Sequence, residues 1–470
     1  MQKLVSAAGI LVFVGLCWLL SRDRRAIRWH TVAVGLLLQL VLGLLFLLWA
    51  PGNALMFGFS EGVKEFLDLS LQGSAMLFGS LTDFRFLAER WGPQQAFLMA
   101  FQVLPTIIFF SSFLAILYHY GVMQRVVQAL AWLMVRLMRT SGSESLSVSG
   151  NIFVGQTEAP LLVRPFLASM TQSELFAVMV GGFATIAGGV FALYVGMLEQ
   201  AGMAGSAGHL VVASVMSAPA ALVVAKLMFP ETGHSQTLGR VEVRLERTAH
   251  NGVEAAANGA LDGLKLALNV AAMLIAFVSL LALANWLLAG FRTPAEVEAE
   301  RMASALDAPG FLPALLDRLL SGPAPLPDPD AAARLAEAAG RAVLGFDEPL
   351  SVQWMLGKLF APLAFMLGVE PGDVTSVGSL LGVKIAANEF VAYQELAVLV
   401  QQHRIGERSA RIATYALCGF ANFGSVAIQI GGISALAPER KGDLARLGVL
   451  AMIGGAFASW MTACVVGVLQ

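Results

Sequence analysis

Residues 149–160, Ser-Gly-Asn-Ile-Phe-Val-Gly-Gln-Thr-Glu-Ala-Pro, limit what this chain can fold into more than any other stretch. They lie among apolar segments, yet twelve residues hold an amide-bearing asparagine and glutamine, a threonine, a carboxylate, two glycines and a proline. An uninterrupted helix in oil is a poor home for them. Each unsatisfied backbone group in hydrocarbon costs several kcal/mol, so such a break survives only inside protein or beside a water-filled cavity. The stretch reads as the tip of a re-entrant hairpin that handles a polar solute.

Composition places it in a membrane. Of 470 residues, 57% are apolar and 13% charged, and the mean hydropathy is +0.72. That describes an all-α polytopic membrane protein rather than a soluble domain, with the lipid bilayer as its solvent. A net charge of -2 leaves no basic footprint for nucleic acid. Cys17, Cys418 and Cys464 lie in apolar segments without metal-ligand spacing and read as packing residues.

The run 4–20 is followed by Ser-Arg-Asp-Arg-Arg-Ala-Ile-Arg and no cleavage pattern, so it reads as a first span with its N-terminus outside the cytoplasm. Further spans are expected at 31–49, 95–120, 175–198, 209–229, 264–288, 412–433 and 447–469, which makes eight with both termini outside. Residues 57–81 mix Glu61, Lys64, Glu65 and Asp68 with apolar positions and suit an interface. Residues 121–139 carry Arg125, Arg136 and Arg139 and suit the inner face.

The chain divides into an N-terminal scaffold (1–94), a first repeat (95–229) with hairpin 1 at 143–168, a cytoplasmic linker (230–262), a span (263–291), an extramembrane appendage (292–348) and the rest of a second repeat (349–470) with hairpin 2 at 376–400. Each hairpin limb holds about 10 apolar residues, half a crossing. Within the appendage, Thr293-Pro294-Ala295-Glu296 forms a capping box and 331–343 reads as a helix. Paired glycines in 181–189 permit close packing or local unwinding. Interfacial helix, hairpin, span, span occurs twice with opposite orientation, as in inverted-repeat transporters. Arg404, Arg408 and Arg411 fall outside in this arrangement, against the positive-inside trend.

Glu158 and Glu389, one in each broken segment, are the candidate functional acids, because an intramembrane carboxylate is expensive. The competing reading is a structural ion pair with Arg164 or Lys384. Gln156, Thr157, Asn388, Asn422 and Ser425 add neutral polar groups at matching depth, which suits a neutral, hydroxyl-rich solute. Asn151, Thr185 and the main-chain carbonyls of Val154 and Ile186 offer hard oxygens for sodium if both segments unwind; Asn151 and Thr185 equally suit helix caps.

The motifs at 150–166 (Gly-Asn-Ile-Phe-Val-Gly-Gln-Thr-Glu-Ala-Pro-Leu-Leu-Val-Arg-Pro-Phe), 181–188 (Gly-Gly-Phe-Ala-Thr-Ile-Ala-Gly), 388–393 (Asn-Glu-Phe-Val-Ala-Tyr) and 418–423 (Cys-Gly-Phe-Ala-Asn-Phe) resemble the concentrative nucleoside transporter family, in its bacterial form. The resemblance covers the chain apart from the appendage. It implies a homotrimer of the inner membrane, eight spanning helices and two re-entrant hairpins per protomer, and inward nucleoside symport with sodium. It also implies that Gln156, Thr157 and Glu158 contact the nucleobase, that Glu389, Asn422 and Ser425 contact the ribose with Phe420 beside it, and that Asn151, Val154, Thr185 and Ile186 hold sodium. Two departures stand out: Gly424 replaces a serine common beside Ser425, and the segment 292–348 is longer than bacterial members lead one to expect.

Proton coupling through Glu158 or Glu389 is the alternative within transport. An intramembrane enzyme fits poorly: Ser147-Val148-Ser149-Gly150 lacks the glycine of a membrane serine protease loop, and no histidine sits mid-span as a base. A channel would not need acids on two oppositely oriented broken segments.

Overall fold

The computed structural model describes residues 2–91, 98–239, 249–289 and 351–470. The expected appendage at 292–348, with its capping box and helix, lies outside the described residues. The described residues are helical apart from turns and one isolated bridge, Ser141 with Leu238.

In chain order the helices are α1 (Gln2–Leu19), α2 (Trp29–Gly43, prolonged by a π turn Leu44–Leu48), α3 (Ala50–Phe78), α4 (Phe84–Trp91), α5 (Met99–Gln102), α6 (Leu104–His119), α7 (Val122–Met138), α8 (Gly142–Gly150), α9 (Arg164–Leu167), α10 (Gln172–Ala184), α11 (Gly188–Gln200), α12 (Ser206–Met228), α13 (Gly252–Ala289), α14 (Val352–Met366), α15 (Val374–Ala386), α16 (Glu389–Gln401), α17 (Glu407–Leu417), α18 (Phe423–Leu436) and α19 (Lys441–Leu469).

By length and composition, seven stretches among the described residues are long and apolar enough to cross a membrane: Gln2–Leu19, Trp29–Leu48, Met99–His119, Gln172–Gln200, Ser206–Met228, Gly252–Leu288 and Pro438–Leu469. The expected span at 412–433 differs, because it is split into α17 and α18 by the extended residues 418–422. Gly419 stands there at φ +140, a conformation open to glycine and strained for other residues, and Asn422 caps the new helix by accepting from the Ser425 N–H at 2.8 Å.

Exposure separates two kinds of helix. The spans built from α10–α11, α12 and α19 are largely buried, whereas the stretch in α13 presents most of its surface outward. Apolar side chains gain little by leaving lipid for protein, so the inner helices are held by close packing and polar contacts. Gln39 donates to Thr462 (3.0 Å), and Ser459 of α19 donates to the Cys418 carbonyl (2.7 Å). All three cysteines are buried in this body.

The basic stretch 121–139 forms helix α7, and helix α14 precedes the break between α15 and α16. Arg408, out of place by the positive-inside count, donates to the Gly467 carbonyl at 2.7 Å in the last turn of α19, where a cation complements the helix dipole. Arg411 pairs with Glu407 one turn earlier on α17.

Candidate functional site

Four helix breaks meet inside the inner body. The first follows α8. A capping box starts this helix, with Ser141 and Glu144 exchanging bonds, and Pro160 enters a 3-10 turn, Ala159–Val163, that leads to α9. Between them residues 151–158 are turns. Asn151 turns its amide nitrogen back onto the Ser147 carbonyl (3.1 Å), which leaves its Oδ1 buried and without a partner, and the Ser147 hydroxyl shares that condition.

The second break separates α10 from α11. Thr185 is extended (φ -124, ψ 165) and its hydroxyl donates to the Gly181 carbonyl at 3.0 Å. The Gly188 N–H donates to the Phe153 carbonyl at 3.0 Å and ties the two breaks together. Among the described residues, the carbonyls of Val154, Thr185 and Ile186 accept no main-chain hydrogen bond. Of the expected sodium ligands, Asn151 thus keeps an oxygen without a partner, and Val154 and Ile186 lie in non-helical segments.

The third break, at 387–388, separates α15 from α16. Asn388 caps α16 by accepting from the Val391 N–H at 2.9 Å. Glu389 follows in the first turn, at the positive end of the helix dipole. It is 6% exposed; Tyr194 of α11 donates to its Oε1 at 3.0 Å, and Asn422 at the fourth break donates to its Oε2 at 2.8 Å. The competing reading, a structural pair with Lys384, does not form: the Lys384 ammonium donates to the Ala416 carbonyl at 2.9 Å.

The base-side candidates sit on the turn after α8. Gln156 is buried beside Gly182 of α10, and its Oε1 has no partner. Thr157 lies against Gly432 of α18, where a Cβ would come within 2.6 Å of its methyl group. Glu158 differs from the expectation of a buried acid: it is exposed in the described protein and forms no ion pair with Arg164. The turn carries it to the open side of the break, where water can solvate it. Phe420 is half-buried within the fourth break, residues 418–422, and Ser425 is buried in the first turn of α18.

Residue patterns missed several participants. Tyr194 stacks on Tyr393 (centroids 4.5 Å apart, 25° between planes) and holds Glu389. Gln429, whose amide nitrogen lies beside Gly182, donates to the Met179 carbonyl at 3.0 Å, and its own oxygen is buried without a partner. At the foot of α8, Lys226 of α12 pairs with Glu144 at 2.6 Å and donates to Ser173 at 2.8 Å, while Glu174 accepts from Ser143 and Ser235. The two Ser/Thr-x-x-Glu capping boxes and the lone lysine of an apolar span were the available signals.

A helical body of membrane-length apolar stretches, with polar breaks meeting inside it, defines a polytopic membrane protein of the secondary-transporter class. Family models described as "Na+ dependent nucleoside transporter C-terminus", "Na+ dependent nucleoside transporter N-terminus" and "Nucleoside recognition" match residues 209–467, 8–81 and 100–201. An uncharacterized transporter of Haemophilus influenzae is 38% identical over 471 residues, which cover 99% of this chain and 98% of that protein. Sodium/nucleoside cotransporter 1 of Mus musculus is 38% identical over 482 residues, all of this chain and 64% of the mouse protein, so the chain spans under two thirds of that relative. The structure of CNTnw in an inward-facing substrate-bound state is 36% identical with a TM-score of 0.81, covering 100% of this chain and 98% of that one. The chain therefore belongs to the concentrative nucleoside transporter family, and its family makes it a transporter rather than an enzyme.

Proposed function

We propose that this chain imports nucleosides across the inner membrane by alternating access, driven by the sodium gradient. The observation that carries the reading is Glu389: a buried carboxylate held by two neutral donors, with acceptor capacity left over. An ionised carboxylate has about four acceptor positions, and Tyr194 and Asn422 take two of them. Ribose hydroxyls suit the remainder. Asn422 and Ser425 stand at the same break, with Phe420 beside the sugar. Gln156, Thr157 and Glu158 are the nucleobase side; the unsatisfied oxygen of Gln156 supports an acceptor role there.

Sodium fits the first two breaks. The buried, unpartnered Oδ1 of Asn151 and the free carbonyls of Val154 and Ile186, with Thr185 at the α10 break, are hard oxygens without a competing donor. Bound there, sodium supplies positive charge in a water-poor region and links occupancy of the site to the membrane gradient. The Gly188 N–H bonded to the Phe153 carbonyl ties the α10 break to the turn that carries Asn151 and Gln156, so the chain's own residues connect ion and solute.

In the bilayer, α8 with 159–167 and α15 with α16 act as two re-entrant hairpins among eight spans, in two oppositely oriented repeats. The arginines after α1 support both termini outside the cytoplasm, and the family supports a homotrimer. Uridine uptake into proteoliposomes, with sodium exchanged for choline at fixed pH, tests the reading. Accumulation should collapse in choline; undiminished accumulation that follows an imposed pH gradient would transfer the coupling to protons.

A further inference from the structure

Helix α18 buries one stripe of side chains, Ser425, Gln429 and Ile433, spaced four residues apart on a single face. Two of the three are polar, and a polar group inside protein calls for a partner. Gln429 is 0% exposed. Its amide nitrogen donates to the Met179 carbonyl at 3.0 Å, which turns Oε1 away from that carbonyl, and Oε1 has no hydrogen-bond partner among the described residues.

Two glycines bring the turn after α8 onto this stripe. At Gly182 of α10 a Cβ would strike the Gln429 amide nitrogen and come within 2.9 Å of the Gln156 Cβ, so both glutamines share the space the glycine leaves. Three residues beyond Gln429 on α18, the Thr157 methyl occupies the same kind of gap at Gly432. In the other direction Ser425 lies one turn back, about 6 Å along the axis, next to the break where Asn422 holds Glu389. Gln429 therefore stands between the groups that meet the sugar and those that meet the base in the reading above. The Oε1 of Gln156 is buried without a partner as well. Acceptors stranded in this way are costly, and a solute that brings N–H donors relieves them. We propose that Gln429 is a further nucleobase-selecting residue, which with Gln156 forms a slot of two amide oxygens for the donor edge of the base. An exocyclic amino group supplies two N–H donors, one for each oxygen; a ring N–H supplies one.

The inference rests on the reading of Gln156 as a base contact, and one set of titrations separates the two. Calorimetry of the purified protein in sodium would use cytidine and adenosine, each against the analogue with hydrogen in place of the amino group. The unmodified protein should favour the amino nucleoside roughly 10-fold, and Gln429→Met, which drops the oxygen and keeps the length, should cut that preference to about threefold or less. The analogues should bind the variant nearly as before, which closes a cycle on the amino contact. Equal losses for nucleoside and analogue would mean that Gln429 only packs α18 on α10, and would overturn the slot. If the methionine variant does not insert, Gln429→Glu keeps an oxygen there and loses the donor to Met179, so the preference should persist; its collapse overturns the proposal. Preference that falls in Gln156→Met and not in Gln429→Met leaves the base reading standing and removes this one. Preference unmoved by either change removes both.

Discussion

Glu389→Gln is the most informative single change. The substitution preserves volume and removes one charge, and its effect follows from the donors already in place. Tyr194 and Asn422 each give a hydrogen bond to one carboxylate oxygen, at 3.0 and 2.8 Å. A glutamine amide keeps one oxygen and turns an NH2 toward the other donor, so one internal bond is lost. A sugar hydroxyl that had met an ionised oxygen now meets a neutral one or a donor. A hydrogen bond to a charged group contributes about 1.5–3 kcal/mol, which is roughly a 10- to 150-fold loss in uridine affinity. The fold should survive, because the neutral side chain no longer carries the desolvation cost of a buried charge, which offsets the lost internal bond. Calorimetric titration of the purified protein with uridine and with 2′,3′-dideoxyuridine forms a cycle that isolates the sugar contact. Uridine should weaken by the stated factor while the dideoxy analogue, already weak, changes little. Equal losses for both ligands would mean that Glu389 acts through the fold and does not touch the ribose.

Thr185→Val removes a hydroxyl at the α10 break with little change in volume; the sodium concentration for half-maximal uptake should rise about tenfold while insertion is unaffected, as one lost oxygen contact of ordinary strength implies. Lys226→Met leaves Glu144 buried without its partner and should cost about 3–5 kcal/mol, seen as a lowered thermal midpoint. Adding Glu144→Gln should recover much of that loss, and an unshifted midpoint in the single variant would dismiss the foot of α8 as a structural anchor. Gly432→Ala places a methyl against Thr157 and should raise the uridine KM in uptake assays while sodium-dependent stabilisation in detergent stays as it was.

Hydropathy made most of the spans legible because their signal is local. The exception is instructive. Residues 412–433 carry no proline and no charges, so nothing in the apolar count announces that the helix stops at Leu417 and restarts at Phe423. The stop depends on Gly419 and on the Asn422 cap, whose worth comes from neighbours elsewhere in the chain. The same distinction runs through the site. Asn151 and Glu389 stand out because such side chains are expensive in oil. Tyr194 and Gln429 read as ordinary span residues, since only tertiary contact brings Tyr194 to an acid 195 positions away, or aims Gln429 at Met179. Glu158 is misleading as burial. Its exposure follows from which way the turn after Val154 opens, which no local periodicity encodes.

The pattern of what is satisfied at the breaks bears on what the protein selects. A helix interruption strands donors at one new end and acceptors at the other. Here the stranded donors find partners: the Val391 N–H has Asn388, the Ser425 N–H has Asn422 and the Gly188 N–H has Phe153. Some acceptors are also taken, as when Ser459 lies within 2.7 Å of the Cys418 carbonyl and 3.4 Å of that of Ala184. The side-chain oxygens of Asn151, Gln156 and Gln429 remain buried without donors, and the Glu389 carboxylate still has acceptor room beyond Tyr194 and Asn422. A region with surplus acceptors is completed by a cation and by a neutral solute rich in hydroxyl and amino donors. It is not completed by an anion, whose charge would meet Glu389 with no side-chain cation bonded to that carboxylate. The breaks therefore argue at once for co-binding of ion and solute, and for a nucleoside rather than its phosphate ester.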